Sequence, residues 1–253
     1  MKRLIILLLI ALLLVGCDLQ NRRDSEDFIP TGTFAGATAN EMGGGGDPWM
    51  PQEKSTVKTV LSYAGEVPMS EPTRAYSYQL PMIDLSGAHA AGCNRDIEDY
   101  YGSMIRSSME AMERFEDPIL ERLSYSSYTI SGILTLRMEQ RDYDGTESQS
   151  WYTVDAETGE EVSVDRLFAA AGISGKPQTV LSEAVEKLFV KRFGATPASA
   201  ADSPYSTARF QTLEALQPLK ASRMHLNENG GLTVAFELFA PNGGSTVEEL
   251  ILP

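Results

Sequence analysis

Apolar residues change their spacing twice along this chain, and each change marks a boundary. Leu4 to Val15 is a nearly unbroken apolar run. From Asp18 to about Ser55 apolar residues keep no period, and Gly, Ala, Thr and Pro dominate. Such a segment buries too little apolar surface to order itself and reads as a tether. From Thr56 onward the periods of strands and helices take over.

Within that last part, VKTVLSYAGEV (Val57–Val67) and TRAYSYQLPMIDL (Thr73–Leu85) alternate as strands do, the second through Tyr76, Tyr78 and Leu80. The spacing predicts a helix over Asn94–Glu116, with Ile97, Tyr101, Met104, Ile105, Met112 and Phe115 on one face and Asp117-Pro118 as its stop. A β-rich block follows through Ser127–Tyr143, turns at Asp144-Gly145 and continues to Asp155. Glu157-Thr158-Gly159 makes a second turn, with Gly159 suited to positive φ. Ser163–Phe168 opens a short helix, and a longer one starts at Pro177 and ends at a Gly194 cap. Ala195–Ser206 reads as a loop or insertion, and Phe210–Leu219 as a short helix or turn. Ser222–Glu228, Gly231–Phe239 and Thr246–Leu252 close the chain as strands. Strands and helices are segregated, so the predicted class is α+β: a mostly antiparallel sheet with two main helices packed on it.

The first apolar run matters for location. It follows Lys2-Arg3, is too short for a comfortable membrane span, and ends Leu14-Val15-Gly16-Cys17. That ending resembles the lipobox of bacterial lipoproteins, and the resemblance implies cleavage before Cys17 and diacylglycerol on its sulfur. The expected organisation is a leader over 1–16, a lipidated Cys17 with a tether over 17–55, and an extracytoplasmic domain over 56–253, held to the cell membrane by lipid. The formal charge is −14, and loss of the basic leader takes it to near −16. A strongly acidic chain disfavours nucleic acid and adsorption to anionic lipid, and suits a cationic partner. With Cys17 lipidated, Cys93 has no disulfide partner in the chain.

Candidate chemistry is sparse. No catalytic set, metal site or cofactor is predicted. His89 lies in a small-residue stretch read as loop, and His225 in a strand; neither is assigned to a metal. Gly43–Gly46 lacks the Lys-Ser/Thr of a phosphate loop. Asp142–Gly145 suits a hairpin turn better than a calcium loop, because the bidentate Glu position falls on Trp151. Ser55-Thr56-Val57-Lys58 and Gly172–Lys176 are chance approximations to catalytic motifs. The aromatic set Tyr76, Tyr78, Tyr125, Tyr128, Tyr143, Trp151 and Tyr152 either packs on half-buried strands or lines a groove. Tyr143, Trp151 and Tyr152 are the candidate ligand-binding residues.

Three stretches carry a family resemblance. Tyr152–Asp155, the Thr158-Gly159 turn and Val162–Phe168 are similar to the "fdl-x-tGk-x-l-x-l-x-dlF" pattern of the extracytoplasmic domain of unknown function numbered 3298, often found with a companion numbered 4163. Tyr78–Ile83 ahead of a long helix is similar to its "y-P-x-i" opening, and His225–Leu232 through Phe239-Ala240-Pro241 to its closing hairpin. The family occurs in a lysozyme-binding anti-sigma receptor of Gram-positive bacteria and in the non-catalytic part of a peptidoglycan deacetylase. Many members carry Gly-Gly-Ala-His where this chain has Asp144–Ser148, so a role tied to that loop does not transfer. The resemblance implies a scaffold that pins a hairpin to a helix and presents a binding surface. The expected function is a lipid-anchored binding or sensing module for a cell-wall glycan or a cationic wall-active protein such as lysozyme. It is not expected to be an anti-sigma factor itself, since only Met1-Lys2-Arg3 precede the apolar run. The alternatives are an envelope enzyme acting on glycan or peptide, and an accessory lipoprotein of an envelope complex.

Overall fold

A computed structural model of the protein describes residues 56–68, 70, 72–194 and 203–252. The expected leader, Cys17, the tether and residues 195–202 lie outside them. The chain runs β1 (Val57–Glu66), β2 (Ala75–Ile83), α1 (Ala88–Ile97), a π-helical stretch (Glu98–Gly102) and α2 (Ser103–Glu113). It continues β3 (Leu120–Ile130), β4 (Ile133–Asp142), β5 (Glu147–Asp155), α3 (Val164–Ala170), α4 (Pro177–Phe193) and α5 (Pro204–Glu214). A short 3-10 turn (Ala221–Arg223) leads into β6 (Met224–Leu226), β7 (Leu232–Phe239) and β8 (Ser245–Leu252).

The class is α+β. The strands form two sheets rather than one, in the orders β1-β2-β3-β4-β5 and β6-β7-β8. Every neighbouring pair is antiparallel except β2 and β3. The parallel pair follows from the helical crossover through α1 and α2, since parallel neighbours need a long connection. Tyr78, Leu80 and Ile83 of β2, Leu123 of β3 and Leu134, Leu136 and Met138 of β4 face α1–α2 in one buried core. A second buried cluster joins Ile133, Leu167, Phe168 and Leu181 to Leu226, Leu232 and Val234. A third sets Val185 and Phe189 of α4 against Phe236 and Leu238 of β7. Each fully buried aliphatic side chain stabilises by roughly 1.5–3 kcal/mol, whereas exposed ion pairs such as Arg106–Glu98 contribute about 0–1 kcal/mol. The cores hold the fold.

Several sequence expectations are corrected. The first helix begins at Ala88, six residues before Asn94, so His89 is helical and not in a loop. Small residues obscured its start: Ala and Gly supply little apolar period, and Gly87 at the N-cap offers no side chain. Phe115 is 70 % exposed, and it sits at φ 60 where the helix unwinds, off the buried face. Ser131-Gly132, both at positive φ, form a tight turn that divides the β-rich block into two strands. Residues Pro204–Ser206, read as loop, open α5, where the Ser203 side chain accepts from the Ser206 N–H. The long helix Pro177–Phe193 stands as its spacing predicts, with Gly194 at φ +86. Among the described residues no helix is long and apolar enough to cross a membrane.

Candidate functional site

The turn after β5 fixes three elements together. Asp155 Oδ1 accepts from the Glu157 N–H (3.0 Å), the Thr158 N–H (2.6 Å) and the Thr158 hydroxyl (2.8 Å). The Arg166 guanidinium donates to Oδ2 of the same carboxylate and to the Gly132 carbonyl at 3.1 Å. These donors hold the Asp155 carboxyl well below the usual carboxylate range, the Thr158 backbone N–H contributing most. Gly159, at φ +75, then brings its carbonyl to the Ala90 N–H at 2.8 Å. A Cβ on Gly87 would meet the Gly159 backbone at under 3.0 Å, so the two glycines allow α1 to start directly on the turn. Sequence reading expects this scaffold; the structure shows that it grips α1 as well as α3.

What it positions is a cleft of about 230 Å³ beside β5, the outermost strand of its sheet. His89, Cys93 and Asp96 of α1 form one wall. Trp151, Tyr152 and Thr153 form the floor along β5, Glu161 and Val162 close one end, and Ala221, Ser222 and Met224 form the other wall. Trp151 and Tyr152 alternate across the strand. Tyr152 packs on the α1–α2 core, and Trp151 stacks on His225 of β6 with ring centres 4.3 Å apart and planes 8° from parallel. Glu161 bridges Val154, two residues from Tyr152, so its side chain falls on the α1 side of the sheet. Among the described residues neither the Asp96 nor the Glu161 side chain has a salt bridge or hydrogen bond, and both residues are exposed. No Lys or Arg lines the cleft.

Burial shifts Cys93 and Tyr152 in the cleft and His225 behind it. It pushes the Cys93 thiol up to about 11, with the Asp96 charge adding to the effect. It also pushes the Tyr152 hydroxyl up, and lowers His225 to about 4, with Arg137 as the second cause. At neutral pH the cleft therefore holds a protonated thiol, with a neutral stacked imidazole behind the indole. Cys93 is not the thiolate a nucleophile needs. Among the described residues no group of three His, Cys, Asp or Glu side chains is placed to hold a metal.

Two of the three candidate binding residues, Trp151 and Tyr152, share this cleft. Tyr143 does not: it lies at the β4–β5 turn with the Arg74 guanidinium 3.8 Å over its ring. That turn is a hairpin, its Asp144 side chain accepting from the Thr146 N–H at 2.8 Å. The other aromatics of the set are structural. Tyr78 donates to the Leu120 carbonyl, Tyr128 to the Leu226 carbonyl, and Tyr125 bonds Thr59. Sequence reading missed His89, Cys93, Asp96 and Glu161 as neighbours. The spacing of His89, Cys93 and Asp96, four and then three residues apart, is that of one helical face and was the available signal; treating His89 as loop concealed it. Compared with known protein families the chain matches none, and no curated protein matches it in sequence.

Proposed function

We propose that this protein is a lipid-anchored, extracytoplasmic binding module whose cleft beside β5 receives a basic side chain of a cationic wall-active protein. The observation that carries the reading is the cleft's composition: two unpaired carboxylates, Asp96 and Glu161, over an aromatic floor of Trp151 and Tyr152. Carboxylates and an aromatic face together favour a guanidinium or ammonium group. The size fits as well. At about 230 Å³ it lies below the roughly 300–1,000 Å³ of sites that enclose a whole small ligand, which suits one side chain better than a run of sugar rings. Support for binding over catalysis comes from the cleft's thiol, which burial keeps protonated at neutral pH. The anchor and the location rest on the lipobox resemblance at Leu14–Cys17, and the choice of partner on the similarity to the 3298 family and on the acidic charge.

Titrating the full-length protein in detergent with lysozyme tests this at low and at physiological ionic strength. Binding should weaken steeply with salt and lose about tenfold on Asp96→Asn with Glu161→Gln, the scale of one charge-assisted contact. Equal affinity for cytochrome c, or no binding at either salt concentration, would remove the proposed partner.

A further inference from the structure

The strand under the cleft has an open side. β5 is the last strand of the five-stranded sheet, and β4 pairs only its inner edge. The direction of each backbone group follows from one fixed point. The Asp155 N–H points outward, donating to the Glu160 carbonyl at 2.9 Å. By the two-residue period of a strand, Thr153, Trp151 and Gln149 also turn their N–H and C=O outward, while Tyr152, Ser150 and Ser148 bond to β4. Among the described residues no hydrogen bond reaches the outer edge of β5 from Glu147 to Trp151, and the Glu161–Val154 bridge meets it only at the Thr153 carbonyl. At the far end, Glu161 already makes an antiparallel bridge to Val154, the first rung of a strand that goes no further. The cleft opens directly beside this edge.

From this geometry we infer that the partner binds by adding an extended, basic segment as an antiparallel sixth strand along Gln149–Thr153. The inference rests on the proposed binding reading and names its mode. Antiparallel direction follows the existing Glu161–Val154 bridge and the better pairing of antiparallel ladders. Residues of the added strand alternate between two walls. Those on the α1 side meet Tyr152, Asp96 and Glu161, which selects Lys or Arg there. Those on the other side meet Trp151 and Met224, which selects apolar residues. Main-chain bonds give affinity in such an arrangement, and the alternate side chains give specificity. Lys220 and Arg223 flank the second wall without lining the cleft, and Arg223 already donates to the Ala215 carbonyl.

Three capped seven-residue peptides of sequence Thr-Lys-Val-Lys-Val-Lys-Thr decide the matter: one unmodified, one N-methylated at both Val, one N-methylated at all Lys. Residues paired through outward β5 groups share Trp151's face, so the Val amides are the ones that bond to β5. Full-length protein in detergent should bind the unmodified and Lys-methylated peptides alike. It should bind the Val-methylated peptide at least tenfold more weakly. Hydrogen–deuterium exchange over residues 147–153 should slow only with the first two. Gln149→Pro removes one outward N–H without touching the β4 ladder; it should weaken the unmodified peptide about tenfold and leave the melting temperature near that of the natural protein. Equal binding of both methylated peptides would overturn strand addition while leaving charge recognition, and the proposed function, in place. Failure of every peptide where lysozyme still binds would overturn it too, as would a dimer in sedimentation that Gln149→Pro dissolves, since β5 would then pair with a second copy. Peptide binding without any lysozyme binding would instead remove the proposed partner and keep the mode.

Discussion

Asp155 and Asp96 are both aspartates within reach of β5, and their surroundings are opposite. Around Asp155 the carboxylate accepts from two backbone N–H groups, a hydroxyl and a guanidinium. Beside it, along the same strand, Asp96 and Glu161 have no partner among the described residues, the Thr153 hydroxyl is buried without one, and the outer backbone of Gln149 and Trp151 is open. A fold stabilises itself by completing such bonds. Completing them in the turn and leaving them incomplete a few residues away separates a region that supports the fold from the region that we propose receives a partner.

The sharpest way to break the contrast is at the close approach of two glycines. Gly87→Ala should cost at least about 3 kcal/mol in urea unfolding, because the new Cβ meets the Gly159 backbone rather than a yielding side chain. Retained stability would show that the turn does not hold α1. Next, Asp155→Ala should lower stability by about 2–3 kcal/mol, the cost of stranding charge-assisted partners. A loss under about 0.5 kcal/mol would place the turn among ordinary surface loops.

Acid should separate the same two regions. His225 is held near 4 when folded, below its unfolded value of about 6.5. The unfolded chain therefore takes up the proton first, and stability complete above about pH 6.5 should fall by roughly 3 kcal/mol as pH drops toward 4. Asp155 titrates low when folded, so its contribution, present above about pH 4, should disappear only below that. His225→Gln should flatten the first step and Asp155→Asn the second; a melting profile with neither change would disprove the assignment. The smallest effect is expected in the cleft. Asp96→Asn with Glu161→Gln should alter stability by less than about 0.5 kcal/mol while reducing salt-sensitive lysozyme binding. A large stability change there would mean that the carboxylates serve the fold.

The support was legible in the sequence and the cleft was not. Thr158-Gly159 and Ser163–Phe168 announce a turn and a capped helix through local chemistry, and both stand. The alternation of Tyr76, Tyr78 and Leu80 also matches a strand with one buried face. The cleft gathers α1, β5, the Glu161 bridge and the approach to β6 from across more than a hundred residues, and no local period records such a meeting. Trp151 and Tyr152 were visible as candidates because they are large. Asp96 and Glu161 looked like any solvated acids until the fold left them unpaired. The division into two sheets was hidden for a similar reason: Leu226 and Leu232 alternate in the same way whichever sheet they join.

The π-helical stretch Glu98–Gly102 has a consequence for how this surface can change. Cys93, Ile97, Tyr101 and Ile105 are all buried, at steps of four. In an uninterrupted α-helix three such steps drift by about 120° around the axis; the wider turn takes up the drift and keeps one stripe. The stretch works as a phase adjuster between the cleft half of the helix and the core half. Deleting one residue from it would restore ordinary winding and leave Cys93 and Ile105 on one stripe, since eleven ordinary steps end within about 20° of full turns; inserting one further residue would instead swing His89 and Cys93 by about 100° relative to Ile105. Cleft geometry is thus tied to the number of residues in the chain, and not only to their kinds. Alkylation of Cys93 should accelerate sharply in a one-residue insertion variant and stay slow in a one-residue deletion variant; an unchanged rate after insertion would mean that the helix absorbs the extra residue elsewhere.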